Sequence, residues 1–221
     1  MILLNVHWYC HYPLSYRQLE EMMQTRGLTV DHSTIHRWVL QYGRELNRRC
    51  RRHLQPTNDS WRVDETYIEV KGEWKYLYRA VDSSGQTLDF MLSAKRDAKA
   101  AKRFLKKVLN ASHTKTPRVI NVDKHAAYPA AVRELKAEQA LPLATKLRPS
   151  KYLNNLVEQD HRNIKRLVKP GLGFGSFQTA WRTLQGYEAM AMIRKGQIQA
   201  VERNDITGQI SFIHHLFGLT A

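Results

Sequence analysis

The chain has 221 residues, with 35 Lys and Arg against 20 Asp and Glu, a net charge of +15. At 43% hydrophobic, with only 11 Gly and 7 Pro, it has the composition of a folded protein and excludes a disordered basic tail. No apolar run approaches the roughly 20 residues that span a bilayer, MILLNV is too short for a secretory leader, and two cysteines make no disulfide framework, so a cytoplasmic protein without a membrane partner is expected, and the charge points to nucleic acid.

Residues 1–46 read as helical and as a DNA-binding unit. Ser15 with Gln18 has the pattern of a capping box, Leu14, Leu19, Met22 and Met23 supply an apolar stripe, and Gly27 suits a left-handed stop. Asp31 caps a second helix to about Leu46, in which Ile35, Trp38, Val39 and Tyr42 form the apolar face. That leaves Ser33, Thr34, His36, Arg37 and Gln41 facing outward, a helix-turn-helix arrangement with groove and phosphate contacts; a plain helical hairpin is the competing reading. Met1–Tyr12 supplies part of a preceding helix. Residues 47–60 read as a basic linker, where Arg48, Arg49, Arg51 and Arg52 track phosphates or are simply solvated.

From Trp61 the pattern turns to strands. WRVDETYIEV and EWKYLYRAVD flank Lys71-Gly72 as a hairpin, and a third strand runs from Gln86 to Ser93. A basic helix follows over Asp97–Asn110, its cations either a phosphate-facing surface or a solubilising one. Then come a short strand ending at Asp123, a helix from Ala126 to Lys136, a weak strand at Leu143–Leu147 and a helix from Tyr152 to Val168. A glycine-rich loop leads into the last helix, Ser176 to about Lys195, and residues 196–221 read as a tail. The catalytic section is thus 61–195, a mixed sheet flanked by helices. Its element order resembles the ribonuclease H-like fold, an α/β class here preceded by a small helical domain.

Chemistry on phosphodiesters is commonly run by carboxylates that hold two Mg²⁺ ions about 4 Å apart. Asp64 lies mid-way along the first strand, Asp123 ends the fourth, and Glu158 lies inside the late helix. If the first and fourth strands are neighbours, the aspartates meet. Glu65 points to the opposite face from Asp64, Asp82 falls near Trp61 in the hairpin, and Asp160 lies about 200° around its helix from Glu158. Against this triple stands the abundance of acids, any 20 of which contain a suggestive set. Arg162 and Lys165, at i+4 and i+7 from Glu158, share its helical face and suit a substrate phosphate, or else a solvent-facing ion pair.

WRVDETYIEVKGEWKYLYRAVD, NVDKHAAY and NNLVEQDHRNIKR, with DHSTIHRWV before them and LGFGSFQTAWRTLQGYEAMAMIRKGQ after, resemble the bacterial insertion-sequence transposases of the DDE type. The resemblance is to insertion sequence family six, the cointegrate-forming group, and it spans nearly the whole chain. It implies that Asp64, Asp123 and Glu158 are the metal-binding catalytic triad and Lys165 its basic partner. It further implies Mg²⁺ or Mn²⁺, two ions, in an enzyme that cleaves the ends of its element and transfers the strands. The partners implied are double-stranded DNA, as terminal repeats and target, and a second copy in a homodimer or higher oligomer. The setting implied is bacterial and nucleoid-associated. Members usually carry a further segment before the part aligned with MILLNVHWYC, so the first helix is expected to be shortened. The alternative is an inactive shortened transposase or a non-catalytic DNA-binding regulator.

Three other patterns carry less. His7-x-x-Cys10 and Cys50-x-x-His53 have zinc-ligand types but no CxxC, and their aromatic neighbours fit a buried helix. Glu158-x-x-His161 lacks the second copy that a di-iron site needs. Gly171–Gly175 follows no strand, which excludes a dinucleotide fingerprint.

Overall fold

The computed structural model describes residues 1–150 and 155–219 and divides into two compact units. One comprises Pro56–Glu69 and Glu73–Asn163; the other comprises Met1–Gln55, Val70–Gly72 and Ile164–Ala221.

The first of these units is built on a five-stranded sheet in the order β3-β2-β1-β4-β5. Strands β1 (Ser60–Val70) and β2 (Glu73–Asp82) are joined by Lys71-Gly72, whose φ angles of 53° and 73° are those of a type I′ turn. Such a turn matches the right-handed twist of an antiparallel pair, which is why two residues suffice. Strand β3 (Thr87–Ser93) pairs antiparallel with β2, with a register shift between Ala80 and Val81. Strands β4 (Val119–Val122) and β5 (Lys146–Pro149) complete the sheet in parallel with β1. Helices α4 (Ala98–Leu109) and α5 (Ala127–Ala137) pack on it. Trp61, Val63, Tyr78, Phe104, Leu105, Ile120 and Tyr128 are buried in their common core. Asp97 caps α4 by accepting from the Ala100 amide, and Pro129 sits in the first turn of α5, where no amide hydrogen is needed. This meander followed by parallel crossovers is the ribonuclease H-like topology.

The second unit is helical: α1 (Ile2–His11), α2 (Tyr16–Gln24), α3 (His32–Cys50), α7 (Phe177–Arg194) and α8 (Ile206–Leu216). Helix α6 (Asn155–Val168) runs from the sheet unit into it. The capping box at Ser15 and Gln18 is formed, Gly27 has a φ of 72°, and Asp31 caps α3 through the Ser33 amide. Helices α3 and α7 meet at two glycines. A Cβ on Gly186 would lie 3.2 Å from the Gly43 Cα and 2.7 Å from Cys10 Sγ.

Four expectations change. Helix α3 does not stop near Leu46 but continues to Cys50, because Gly43, Leu46, Asn47 and Cys50 prolong its buried face. Arg48 and Arg49 are therefore helical, and Arg51 and Arg52 lie in the 3-10 turn Arg51–His53, so the basic linker is largely structured. The buried face of α3 is also rotated: Ile35 and Val39 are buried, while Trp38 and Tyr42 are half-buried. Third, α7 clusters with the N-terminal helices, packing along α3 and α1, although its sequence position lies in the section 61–195. Fourth, the segment 196–221 is not a plain tail but forms α8, which packs on α3. The expected start of α6 at Tyr152 lies outside the described residues.

Candidate active site

The parallel ladder between β1 and β4 sets Ser60 opposite Val119, Trp61 opposite Ile120 and Arg62 opposite Asn121. The Asn121 side chain donates to the Trp61 carbonyl at 2.9 Å and ties the two strands together. Carried two residues further, the same offset sets Asp64 level with Asp123. Asp123 begins the turn into α5, its Oδ1 accepting from the His125 amide at 3.0 Å.

Helix α6 supplies the third acid. Val157, Asp160, His161, Ile164 and Leu167 form its buried face, and Glu158, Arg162 and Lys165 share its exposed one. Asp160 is committed elsewhere, pairing with the fully buried Arg79 of β2 at 3.1 Å. His161 Nδ1 stands 3.7 Å from Asp64 Oδ2, within ion-pair reach.

Electrostatics couples Asp64 to the other acids. Burial, followed by the negative charges of Glu65, Asp123 and Glu158, pushes its carboxyl up to about 7. Neighbouring carboxylates raise the cost of ionising Asp64, and hard-oxygen groups of this kind suit Mg²⁺ or Mn²⁺, which would relieve that repulsion. Part of the charge is already answered by Arg96, which donates to Asp123 Oδ2 at 2.8 Å and to Glu65. Glu65 also accepts from the Tyr128 hydroxyl. Glu65 thus shares Arg96 with Asp123, while its strand parity sends its side chain to the opposite face from Asp64. Asp82 is buried and structural, accepting from the amides of Asn58, Ser84 and Gln86 at 3.0, 2.8 and 3.0 Å.

Among the described residues, one group brings three ligand atoms within 4.8 Å of one another: Glu20, Asp31 and His32. Its atoms already serve each other and the start of α3, with His32 Nδ1 2.9 Å from Glu20 and Asp31 occupied as the cap. The carboxylate oxygens of Asp64, Asp123 and Glu158 do not all lie within 4.8 Å of one another. Cys10 and Cys50 are buried thiols, each pushed up to about 12 by desolvation. Cys50 Sγ donates to the Asn47 carbonyl at 3.4 Å.

On α3, Ser33, Arg37 and Gln41 are exposed, whereas Thr34 and His36 are half-buried. Thr34 Oγ1 accepts from Arg37 at 2.9 Å, and His36 lies against the Tyr16 ring at 5.0 Å. Arg48 and Arg49 both pair with Glu45, while Arg51 reaches Asn47 at 3.4 Å. Most cations around α4 are engaged: Lys102 with Glu134 and Glu138, Lys106 with Glu138, and Lys107 with Asp89.

Sequence reasoning missed Arg96 and the position of His161. Arg96 was one cation in a dense basic run, and nothing local marks which of them turns inward. His161 lay in view, but only as a metal-ligand type.

A ribonuclease H-like sheet with one acid within its central strand and another just beyond the adjacent parallel strand defines a class of phosphoryl-transfer enzymes. A family model described as a DDE domain matches residues 58–197. Over 201 residues the chain is 39% identical to the Staphylococcus aureus transposase for insertion sequence-like element IS431mec, covering 88% of this chain and 84% of that protein. Identity and coverage are the same for the S. aureus transposase of insertion sequence element IS257 in transposon Tn4003. The chain belongs to the DDE-type transposases of insertion sequence family six, and is an enzyme of DNA transposition. Among solved structures it is similar to the HTLV-2 integrase catalytic core domain in complex with magnesium, with a TM-score of 0.46 at 17% identity over 60% of this chain and 84% of that one. The BIV integrase catalytic core domain gives a TM-score of 0.45 at 16% identity, over 72% and 98%. No helix among the described residues is long and apolar enough to cross a membrane.

Proposed function

We propose that this transposase cleaves at the ends of its element and joins the freed 3′-hydroxyl to a target phosphodiester, with Asp64, Asp123 and Glu158 as the carboxylates that hold two Mg²⁺ or Mn²⁺ ions. Those ions, when bound, supply activation of the attacking oxygen and stabilisation of the leaving one. The chain itself does the positioning. Asp64 and Asp123 are held on adjacent parallel strands, Arg96 orients the Asp123 carboxylate, and Arg162 and Lys165 offer cations to the substrate phosphates from the exposed face of α6. The N-terminal helices bind the terminal inverted repeats, with Ser33, Thr34, His36, Arg37 and Gln41 toward the groove and Arg48, Arg49, Arg51 and Arg52 toward phosphates. Two ends must be held at once, so the working form is a homodimer or a higher oligomer.

The observation that supports this reading most directly is the coupling at Asp64, whose carboxyl carries the repulsion of both Asp123 and Glu158. Asp64→Asn is expected to abolish Mg²⁺-dependent strand transfer on pre-cut element ends while terminal-repeat binding is retained. Unchanged strand transfer removes Asp64 from the catalytic set.

A further inference from the structure

The exposed face of α3 is a continuous polar stripe. Ser33, Arg37, Gln41, Arg44 and Arg48 follow one another at i, i+4, i+8, i+11 and i+15, and all five are exposed. At 1.5 Å per residue the stripe is about 22 Å long, against a major groove about 12 Å wide. If its N-terminal half enters the groove, its C-terminal end lies beyond the groove wall, at the level of the sugar-phosphate backbone.

At that end the helical unit has a cleft of about 300 Å³ lined by Arg48, Arg49, Arg52, His53, His215 and Leu216. Its charge is uneven. Arg48 and Arg49 share the single carboxylate of Glu45, and Arg52 is exposed with no carboxylate partner among the described residues. Arg49 is braced on three sides: by Glu45 Oε1 at 2.6 Å, by the Leu216 carbonyl, and by the Phe217 ring, whose centroid lies 4.7 Å from its guanidinium carbon. A guanidinium fixed in this way loses little freedom on meeting a ligand, and its fork geometry matches phosphate oxygens. One wall of the cleft comes from α8, a segment with no assigned role.

We infer that this cleft, built by the end of α3 and the end of α8, is a phosphate-binding site for the DNA backbone flanking the groove read by α3. The inference rests on the reading of the N-terminal helices as the terminal-repeat binding unit. It makes the C-terminal helix part of the DNA interface, contributing affinity without sequence preference.

Fluorescence anisotropy on the full chain tests it, with a duplex of the element's terminal repeat and a scrambled duplex, each across a chloride series. Arg52 and His215 are both exposed, so their replacement leaves the fold intact. Arg52→Ala with His215→Ala is expected to weaken binding to both duplexes by the same factor and to lower the slope of log affinity against log salt by about one. Arg52→Lys, which keeps the charge, is expected to restore that slope. Arg37→Ala with Gln41→Ala is expected to erase the preference for the repeat. If the cleft variant matches wild type while the Arg37 and Gln41 variant loses its preference, the cleft is overturned and the helix-turn-helix reading stands. If neither variant changes binding, the helix-turn-helix reading itself fails. Inorganic phosphate is expected to displace DNA from wild type beyond the effect of chloride at equal ionic strength, and less so from the Arg52 and His215 variant; displacement of equal size in both places that anion site outside the cleft and overturns the proposal.

Discussion

Arg96 donates to Asp123 at 2.8 Å, so one of the two aspartates set level by the β1–β4 pairing carries a cation that the protein itself provides. The same guanidinium reaches Glu65, whose side chain is 2% exposed, and the pair is closed by Tyr128. Arg96→Ala leaves Glu65 as a buried carboxylate with a hydroxyl as its remaining partner. A loss of about 2–3 kcal/mol is expected, below the cost at a fully buried pair because Arg96 keeps part of its surface in water. Arg96→Lys recovers little of this, since a single ammonium does not reproduce two directed bonds. Urea denaturation midpoints of the two variants check both statements.

The raised Asp64 carboxyl makes a prediction with a definite sign. Its folded-state value of about 7 lies above the ordinary 3.8, so the folded protein holds this proton more tightly than the unfolded chain does. The stabilising contribution is complete below about pH 4 and is lost as pH rises through about 7. Without divalent metal, Asp64→Asn is therefore expected to be more stable than wild type at pH 8, on the order of 1–3 kcal/mol, and close to it at pH 4. Adding Mg²⁺ or Mn²⁺ at pH 8 should raise the wild-type melting temperature and leave that of Asp64→Asn nearly unmoved. Thermal melts with and without a chelator read both effects; a metal-induced shift of equal size in the two proteins would separate Asp64 from the ion.

The contact of α3 with α7 depends on the absence of side chains. An alanine Cβ at position 186 would meet Cys10 Sγ at 2.7 Å and the Gly43 backbone at 3.2 Å. Gly186→Ala is expected to destabilise the protein by about 1–3 kcal/mol through overpacking. Combining it with Cys10→Ala should return part of the loss, because the sulfur is the nearer obstacle and the backbone of Gly43 remains. Melting temperatures of the single and double variants decide this.

Much of the sheet unit was legible because its residues agree at every level. Alternation in WRVDETYIEV, the two-residue turn at Lys71-Gly72 and the run RVINV each pointed to one local structure, and the positions of Asp64 and Asp123 followed from the strands. The helical unit was less legible. ITGQISFIHHL contains Thr, Gly, Ser and β-branched residues that are weak helix formers, and α8 packs on α3, a partner distant in sequence. The continuation of α3 through Arg48 and Arg49 was obscured for a related reason: charge density there suggested a linker, while the apolar signal had thinned to Leu46 and Cys50. Arg96 illustrates the limit on the site. Its role depends on Glu65 and Asp123, 31 and 27 positions away, and no local pattern encodes that meeting.

The parallel pairing of β1 with β4 also governs which changes in chain length the enzyme tolerates. The two aspartates are brought level by the ladder beginning at Ser60 and Val119, and not by the length of chain that connects the strands. Residues gained or lost in the exposed connections around α4 leave that alignment untouched. A single residue gained or lost between Arg62 and Asp64 moves the carboxylate to the opposite face of the sheet. Chain length is thus free to drift after α4, while three consecutive positions of β1, and the connection before α4 that delivers Arg96 to Asp123, are not.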